Sequence, residues 1–187
     1  MSTLTRENLS EKDRAVLDSI FDPTFSGNGI VYDKHEDLEN LHDDEGELTP
    51  SVQQSIKTEL EAIASAEKGD YEKACDLFEI SMNLAPNRAA PYNNRAQVYR
   101  IQGDNDAAME DLNKALKLCK SSGRTGCRAL CQRGVLKRFK EDIEGAREDF
   151  ELAAKLGSQF ARAQLVELNP YSAMCNQMLR QVMDKLN

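Results

Sequence analysis

GDYEKA, at Gly69–Ala74, returns as GDNDAA at Gly103–Ala108, 34 residues later, and this repetition indicates the fold class of the chain. The same shift of 34 residues carries Phe78 to Leu112, two apolar residues. Self-similarity at one fixed period is the signature of repeat proteins, whose units stack to bury a continuous core. We therefore expect an array of structural repeats.

A third, looser copy follows the second. It reads EDIEGA at Glu141–Ala146, 38 residues after the second copy, with Glu where the first two copies have Gly. The four additional residues fall in KSSGRTG, Lys120–Gly126, whose Ser and Gly content is typical of a loop. We therefore predict three repeats, at 51–88, 89–122 and 123–158.

This pattern resembles the tetratricopeptide repeat, a pair of antiparallel helices of about 34 residues. In that family, small residues occupy the two positions where the helices of a pair cross, since larger side chains would push them apart. Pro86 ends the first repeat as the family expects, because Pro cannot continue a helix. The resemblance implies an all-α fold, a tetratricopeptide-repeat superhelix of three helix-turn-helix repeats plus C-terminal capping helices. The small residues at the crossing positions are Ala62, Ala96 and Gly134, and Ala74, Ala108 and Ala146.

The segments that flank the repeats have their own patterns. An apolar cluster within Leu9–Phe21 predicts a short amphipathic helix. Beyond the repeats, Ser158 is a suitable N-cap for a helix at Gln159–Leu168, and apolar residues recur at helical spacing after Pro170. The flanks are therefore divided into 1–32, an N-terminal segment with a short helix; 33–50, an acidic linker; and 159–187, the C-terminal capping helices.

The net charge of −8 is unevenly distributed. Residues 33–47 contain eight acidic side chains and one basic one, whereas residues 48–187 are nearly neutral. This balance excludes a general nucleic-acid binder, which needs a basic face for phosphate contacts. No apolar run is long enough for a membrane span or a signal peptide, and the odd number of cysteines suits a reducing compartment. We expect a cytoplasmic protein that is also compatible with the nucleus.

The resemblance also predicts where a partner binds. In tetratricopeptide proteins the first helix of each repeat lines a concave face. Here that face would be rich in amide side chains, which bond the donors and acceptors of a peptide backbone, and in Arg, which forks onto carboxylates. The alternative is that these residues form only a polar solvated face. The candidate groove residues are Asn93, Asn94, Gln97, Arg100, Arg128, Gln132 and Arg138.

Chaperone adaptors of this family provide a sharper comparison. They hold the C-terminal carboxylates of Hsp70 or Hsp90 with Lys and Asn of the first repeat, Asn of the second, and Lys and Arg of the third. Here Asn94 matches and Arg128 replaces the third-repeat Lys, but the remaining positions hold Glu59, Ile63 and Gln132. A carboxylate that faces a carboxylate is repulsive, and Ile offers no donor. A complete clamp is therefore not expected, while chaperone binding through another surface stays open.

Nothing in the sequence predicts catalysis, a metal or a cofactor. His35 and His42 lie in the acidic linker without a rigid frame, and a zinc site at Cys127 and Cys131 would need two further ligands at suitable spacing. We interpret the two cysteines as packing or groove residues. The chain is thus expected to be a non-catalytic protein-interaction adaptor.

The identity of the partner depends on resemblance alone. The stretches Val16–Pro23, Tyr92–Ala96 and Leu168–Tyr171 resemble one branch of the family. That resemblance implies a small adaptor with links to Hsp70 binding, cilium assembly and tyrosine catabolism. The alternatives are therefore a regulatory or stabilising partner of a metabolic enzyme, and an Hsp70-associated co-chaperone without a complete carboxylate clamp.

The acidic linker suggests one further hypothesis. Residues 33–47 would occupy the Arg-rich end of the groove as an internal competitor, through contacts that salt weakens. The simpler interpretation is a solvated tether.

Overall fold

A computed structural model of the chain describes residues 41–43 and 47–169. In this part the chain is helical throughout apart from turns and loops, so the predicted all-α class is confirmed. The predicted helices at Leu9–Phe21 and after Pro170 lie outside the described residues. The helices are α1 (Pro50–Glu67), α2 (Tyr71–Leu84), α3 (Ala90–Gln102), α4 (Asn105–Leu118), α5 (Gly123–Phe139), α6 (Ile143–Lys155) and α7 (Gln159–Glu167).

The helices pack in sequential pairs, α1 on α2, α3 on α4 and α5 on α6. One such pair corresponds to each predicted repeat, although α1 begins at Pro50, one residue before the predicted start of the first. The turn inside each pair has one residue in the left-handed region, followed by an Asp that caps the next helix. Gly69 and Gly103 adopt φ values of 83° and 85°, which Gly tolerates without steric cost. Glu141 has a φ of 64° in the third turn, so the turn geometry is kept although the Gly is lost. The caps are Asp70, Asp104 and Asp142.

The small residues lie at the helix crossings, where the sequence places them. Ala62, Ala96 and Ala146 are fully buried. At Gly134 an added Cβ would lie 2.7 Å from the Phe150 ring, closer than real Cβ contacts. The ring of Phe150 thus occupies the space that a Cβ would take, which accounts for Gly at this position where the first two pairs have Ala.

The core receives one large apolar side chain from the second helix of each pair. Phe78, Leu112 and Phe150 are all buried, and smaller residues fill the space around them. Ion pairs join the helices of the last two pairs: Arg95 contacts Asp111 at 2.7 Å, and Arg133 contacts Asp149 at 2.7 Å. Both arginines bind their carboxylate through two nitrogens, which fixes the geometry of the pair as well as its charge.

The acidic linker contacts the start of α5. The N-cap residue of α5, Ser122, makes no side-chain hydrogen bond to the helix. Asp43 performs that role instead: its Oδ1 accepts from the Thr125 N–H at 2.8 Å, and its Oδ2 accepts from the Thr125 hydroxyl at 2.6 Å. The predicted loop at Lys120–Gly126 is too long, because α5 begins at Gly123 and includes its last four residues. In the shorter loop Lys120 and Ser121 adopt left-handed backbone.

Asp43 and His42 line a cavity of about 270 Å³ between the loops that connect the repeats. None of the seven candidate groove residues lines this cavity. Asp43 thus lies at the inter-repeat loops and not in the groove. The competitor hypothesis concerns residues 33–47. Of these, the structure describes only residues 41–43 and 47.

Candidate peptide-binding groove

A second cavity, of about 320 Å³, lies where α3, α5 and the start of α7 meet. Six of the seven candidate residues line it. Helical spacing explains why: residues three and four apart share one face of a helix, as Asn93, Asn94, Gln97 and Arg100 do on α3. Their counterparts on α5 recur at the same spacing. The lining residues are Asn93, Asn94, Gln97, Arg100, Cys127, Arg128, Cys131, Gln132, Ser158 and Phe160.

The structure separates Arg138, the seventh candidate, from this cavity. Its Nη1 contacts Glu167 Oε2 at 2.8 Å and donates to Gln164 Oε1 at 2.6 Å, so it joins the end of α5 to α7. Helical periodicity places Arg138 on the correct face of α5, but six residues beyond Gln132, or about 9 Å along the axis. At that position along the axis the partners of Arg138 come from α7, so Arg138 is not part of the site.

On the first-repeat side of the groove, a carboxylate of the chain itself is hydrogen-bonded to the amide of Asn94. Glu59 Oε1 accepts from Asn94 Nδ2 at 2.8 Å, and Glu59 Oε2 lies 2.7 Å from Arg88 Nη2. Arg88 also donates to Ser55 Oγ at 3.0 Å. The side chains of Arg88 and Glu59 are only 6% and 8% exposed. Of these residues only Asn94 lines the groove cavity, and Arg88 lines the cavity at the inter-repeat loops. We call Glu59, Arg88 and Asn94 the closed end of the groove, because Glu59 and Arg88 lie behind Asn94 and bind it or its partner.

Amide side chains continue this network towards the third pair of helices. Asn93 Nδ2 donates to Asn94 Oδ1 at 3.2 Å, and Gln132 Nε2 donates to Asn93 Oδ1 at 3.0 Å. A continuous set of hydrogen bonds therefore runs from α1 through α3 to α5. It fixes the orientation of each amide before any ligand arrives.

Two arginines line the other side of the groove. Within the described part of the chain, Arg100 and Arg128 have neither a side-chain hydrogen bond nor an ion pair. Among the described residues, Arg100 Nε and Gln132 Oε1 are buried and have no hydrogen-bond partner. A buried donor or acceptor left unpaired costs about 1–3 kcal/mol, so an occupant that pairs with these atoms is stabilised. We call Arg100, Arg128 and Gln132 the open end of the groove.

Two features of the site were not predicted from the sequence. Phe160 of α7 lines the cavity and is 45% exposed, with its ring packed edge-to-face on Phe150. Arg88, the partner of Glu59, lies in the loop between α2 and α3. Neither residue belongs to the periodic face of a first helix, and so the repeat pattern contains no signal for them.

In the described residues no group of three or more His, Cys, Asp or Glu is arranged to hold a metal ion. None of the described helices combines the length and apolarity that crossing a bilayer requires. The arrangement in the groove is one of hydrogen-bonding and charged groups, suited to binding.

Comparison with known proteins agrees with this architecture. A family model described as tetratricopeptide repeat matches residues 57–121. The tetratricopeptide repeat protein 36 homolog of Drosophila melanogaster is 48% identical over 183 residues, which cover 95% of this chain and 96% of the relative. Tetratricopeptide repeat protein 36 of Bos taurus is 49% identical, with 93% and 94% covered.

Among solved structures, the second tetratricopeptide domain of Spaghetti (RPAP3), bound to the HSP90 peptide SRMEEVD, superposes with a TM-score of 0.51 and 25% identity. The match covers 56% of this chain and 94% of that domain. Relatives of this identity, matched along almost their whole length, place the chain in one family. The chain belongs to the tetratricopeptide repeat protein 36 family.

Proposed function

We propose that this protein is a non-catalytic adaptor that binds an extended peptide segment of a partner protein in the groove. The observation that carries the proposal is the gathering of Asn94, Gln97, Arg100, Arg128 and Gln132 around one cavity, where both arginines lack partners in the described chain. A solvated polar face needs no such convergence.

The chemistry of the cavity suits a peptide. Its volume lies near the lower end of the range of about 300–1,000 Å³ that ligand sites occupy. The amide of Gln97 offers both a donor and an acceptor, which an extended backbone requires along its length, and Asn94 keeps one N–H beyond its bond to Glu59. Phe160 adds an exposed aromatic surface at the rim for an apolar side chain.

A structural neighbour supports the general mode of binding. The second domain of Spaghetti is bound to a chaperone peptide, which suggests that a concave face of this fold suits short acidic peptides. For this chain we propose Hsp70 or a metabolic enzyme, such as one of tyrosine catabolism, as partner classes, in the cytoplasm and the nucleus. A role in cilium assembly would require a further partner of the same kind.

Affinity purification with mass spectrometry tests the proposal. The full chain and the double variant Arg100→Gln/Arg128→Gln are used as baits, with Arg162→Gln, an exposed arginine of α7, as the matched control. We expect the double variant to lose the specific partners and the control to keep them, with equal thermal stability for all three. Identical partners on wild type and a folded double variant would contradict the groove assignment.

The same data separate the partner classes. An Hsp70-associated adaptor recovers chaperones, whereas a stabilising partner recovers one dominant enzyme whose half-life changes when the adaptor is removed.

A further inference from the structure

We infer that the groove binds a single acidic side chain from within a peptide, at the open end, and that it discriminates against chaperone C-termini that present several carboxylates. The inference rests on the proposed function, because it specifies the ligand of the same groove. Three features of the described residues carry it: the internal carboxylate at the closed end, the charge of the cavity lining, and the unpaired atoms of the open end.

The closed end is already occupied by a carboxylate. Glu59 accepts the Asn94 amide at 2.8 Å and pairs with Arg88 at 2.7 Å. A peptide carboxylate that approached Asn94 would have to displace a buried ion pair and would meet a like charge at short distance. This end of the groove therefore accepts neutral backbone and repels a second negative group.

The open end has the opposite charge. Arg100 and Arg128 are the only charged residues among those that the structure shows lining the cavity. In the described chain no carboxylate neutralises either guanidinium. A planar guanidinium holds a carboxylate through two parallel hydrogen bonds, and its charge strengthens both. One acidic side chain of the peptide thus belongs here.

The unpaired atoms add a contact for the peptide backbone. Among the described residues, Arg100 Nε needs an acceptor and Gln132 Oε1 needs a donor. A peptide group supplies both, a carbonyl oxygen and an N–H. Charge determines the position within the peptide: an internal acidic residue brings one carboxylate, whereas an acidic C-terminal residue adds the terminal carboxylate, and the carboxylate of Glu59 at the closed end repels a second negative group.

A peptide library tests the inference. N-acetylated, C-amidated nonapeptides with randomised sequence are selected on the full chain, on Arg128→Gln and on the matched control Arg162→Gln. We expect wild type and control to enrich Asp or Glu at one position, and Arg128→Gln to lose that preference. The enriched peptide, labelled with fluorescein, should bind Arg128→Gln about tenfold more weakly, as expected for the loss of one charge-assisted contact. Labelled SRMEEVD should bind wild type more weakly than the enriched peptide.

The outcomes distinguish the two proposals. If wild type enriches no peptide, the proposed function fails. If wild type enriches peptides without an acidic position, or binds SRMEEVD as tightly as the enriched peptide, the groove binds peptides but this inference is wrong.

Discussion

The closed and open ends of the groove contain the same kinds of side chain and use them in opposite ways. At the closed end Arg88 is engaged by Glu59, and Asn94 donates to the same carboxylate. At the open end Arg100 and Arg128 have no such partner in the described chain. Whether an arginine supports the fold or offers itself to a ligand is therefore decided by the presence of an internal carboxylate.

The largest expected change in unfolding free energy comes from breaking the ion pair at the closed end. Glu59→Ala leaves Arg88 buried without its carboxylate, and removal of one partner from a buried pair costs about 3–5 kcal/mol of unfolding free energy. Arg128→Ala, at the exposed open end, should change the unfolding free energy by no more than about 0.5 kcal/mol. Urea denaturation followed by circular dichroism measures both. Equal losses in the two variants would remove the distinction between the ends.

The ion pairs between paired helices allow a second comparison, between a carboxylate with one basic partner and a carboxylate with two. Arg95→Ala leaves Asp111 without its two-point partner and should cost about 2–3 kcal/mol. Arg133→Ala should cost about 1 kcal/mol less, because Lys137 remains 3.0 Å from Asp149. The same urea experiment compares them. A larger loss for Arg133→Ala would show that Lys137 does not compensate.

Asp43 tests whether the described end of the linker acts on the groove. Asp43→Ala removes the cap of α5 and should cost about 1 kcal/mol of unfolding free energy, while affinity for a groove peptide stays unchanged. Glu47→Ala, an exposed acidic residue of the same linker, is the control. An increase in peptide affinity for Asp43→Ala would contradict this expectation and support the competitor hypothesis.

The smallest expected effect concerns an exposed pair between the second and third helix pairs. A hydrogen bond from Lys140 holds the pKa of Asp106 below its usual value. The pair therefore stabilises the fold at neutral pH, and this contribution disappears as pH falls through the pKa of Asp106. Melting temperatures from pH 6 to pH 2, in low and high salt, should show a small difference between wild type and Lys140→Met that shrinks as pH falls below 3.8, the ordinary pKa of an Asp, and that is smaller in high salt. A difference that stays constant from pH 6 to pH 2 would contradict this assignment.

Periodicity predicted what one repeat shares with the next. The crossing residues and the face that holds Asn94 and Arg100 follow from spacing, because each depends on the register of one helix. The network at the closed end could not be predicted in this way: Arg88 lies in a loop without helical register. The contact between Asp43 and Thr125 spans 82 residues, and sequence spacing has no information about such a pairing.

Arg138 shows that helical spacing can also predict a site residue wrongly. Its spacing on α5 is correct for the groove, but spacing does not reveal which element packs against a face, and α7 provides Glu167 and Gln164 there.

The most direct test of the open end is a double-mutant cycle between Arg128 and the acidic residue of the selected peptide. Isothermal titration calorimetry measures the affinity of wild type and Arg128→Gln for the peptide and for its Gln-substituted form. If the two groups contact each other, each single change weakens binding by about tenfold and the combination weakens it no further. Losses in binding free energy that simply add would contradict the account, because the carboxylate would then be held elsewhere.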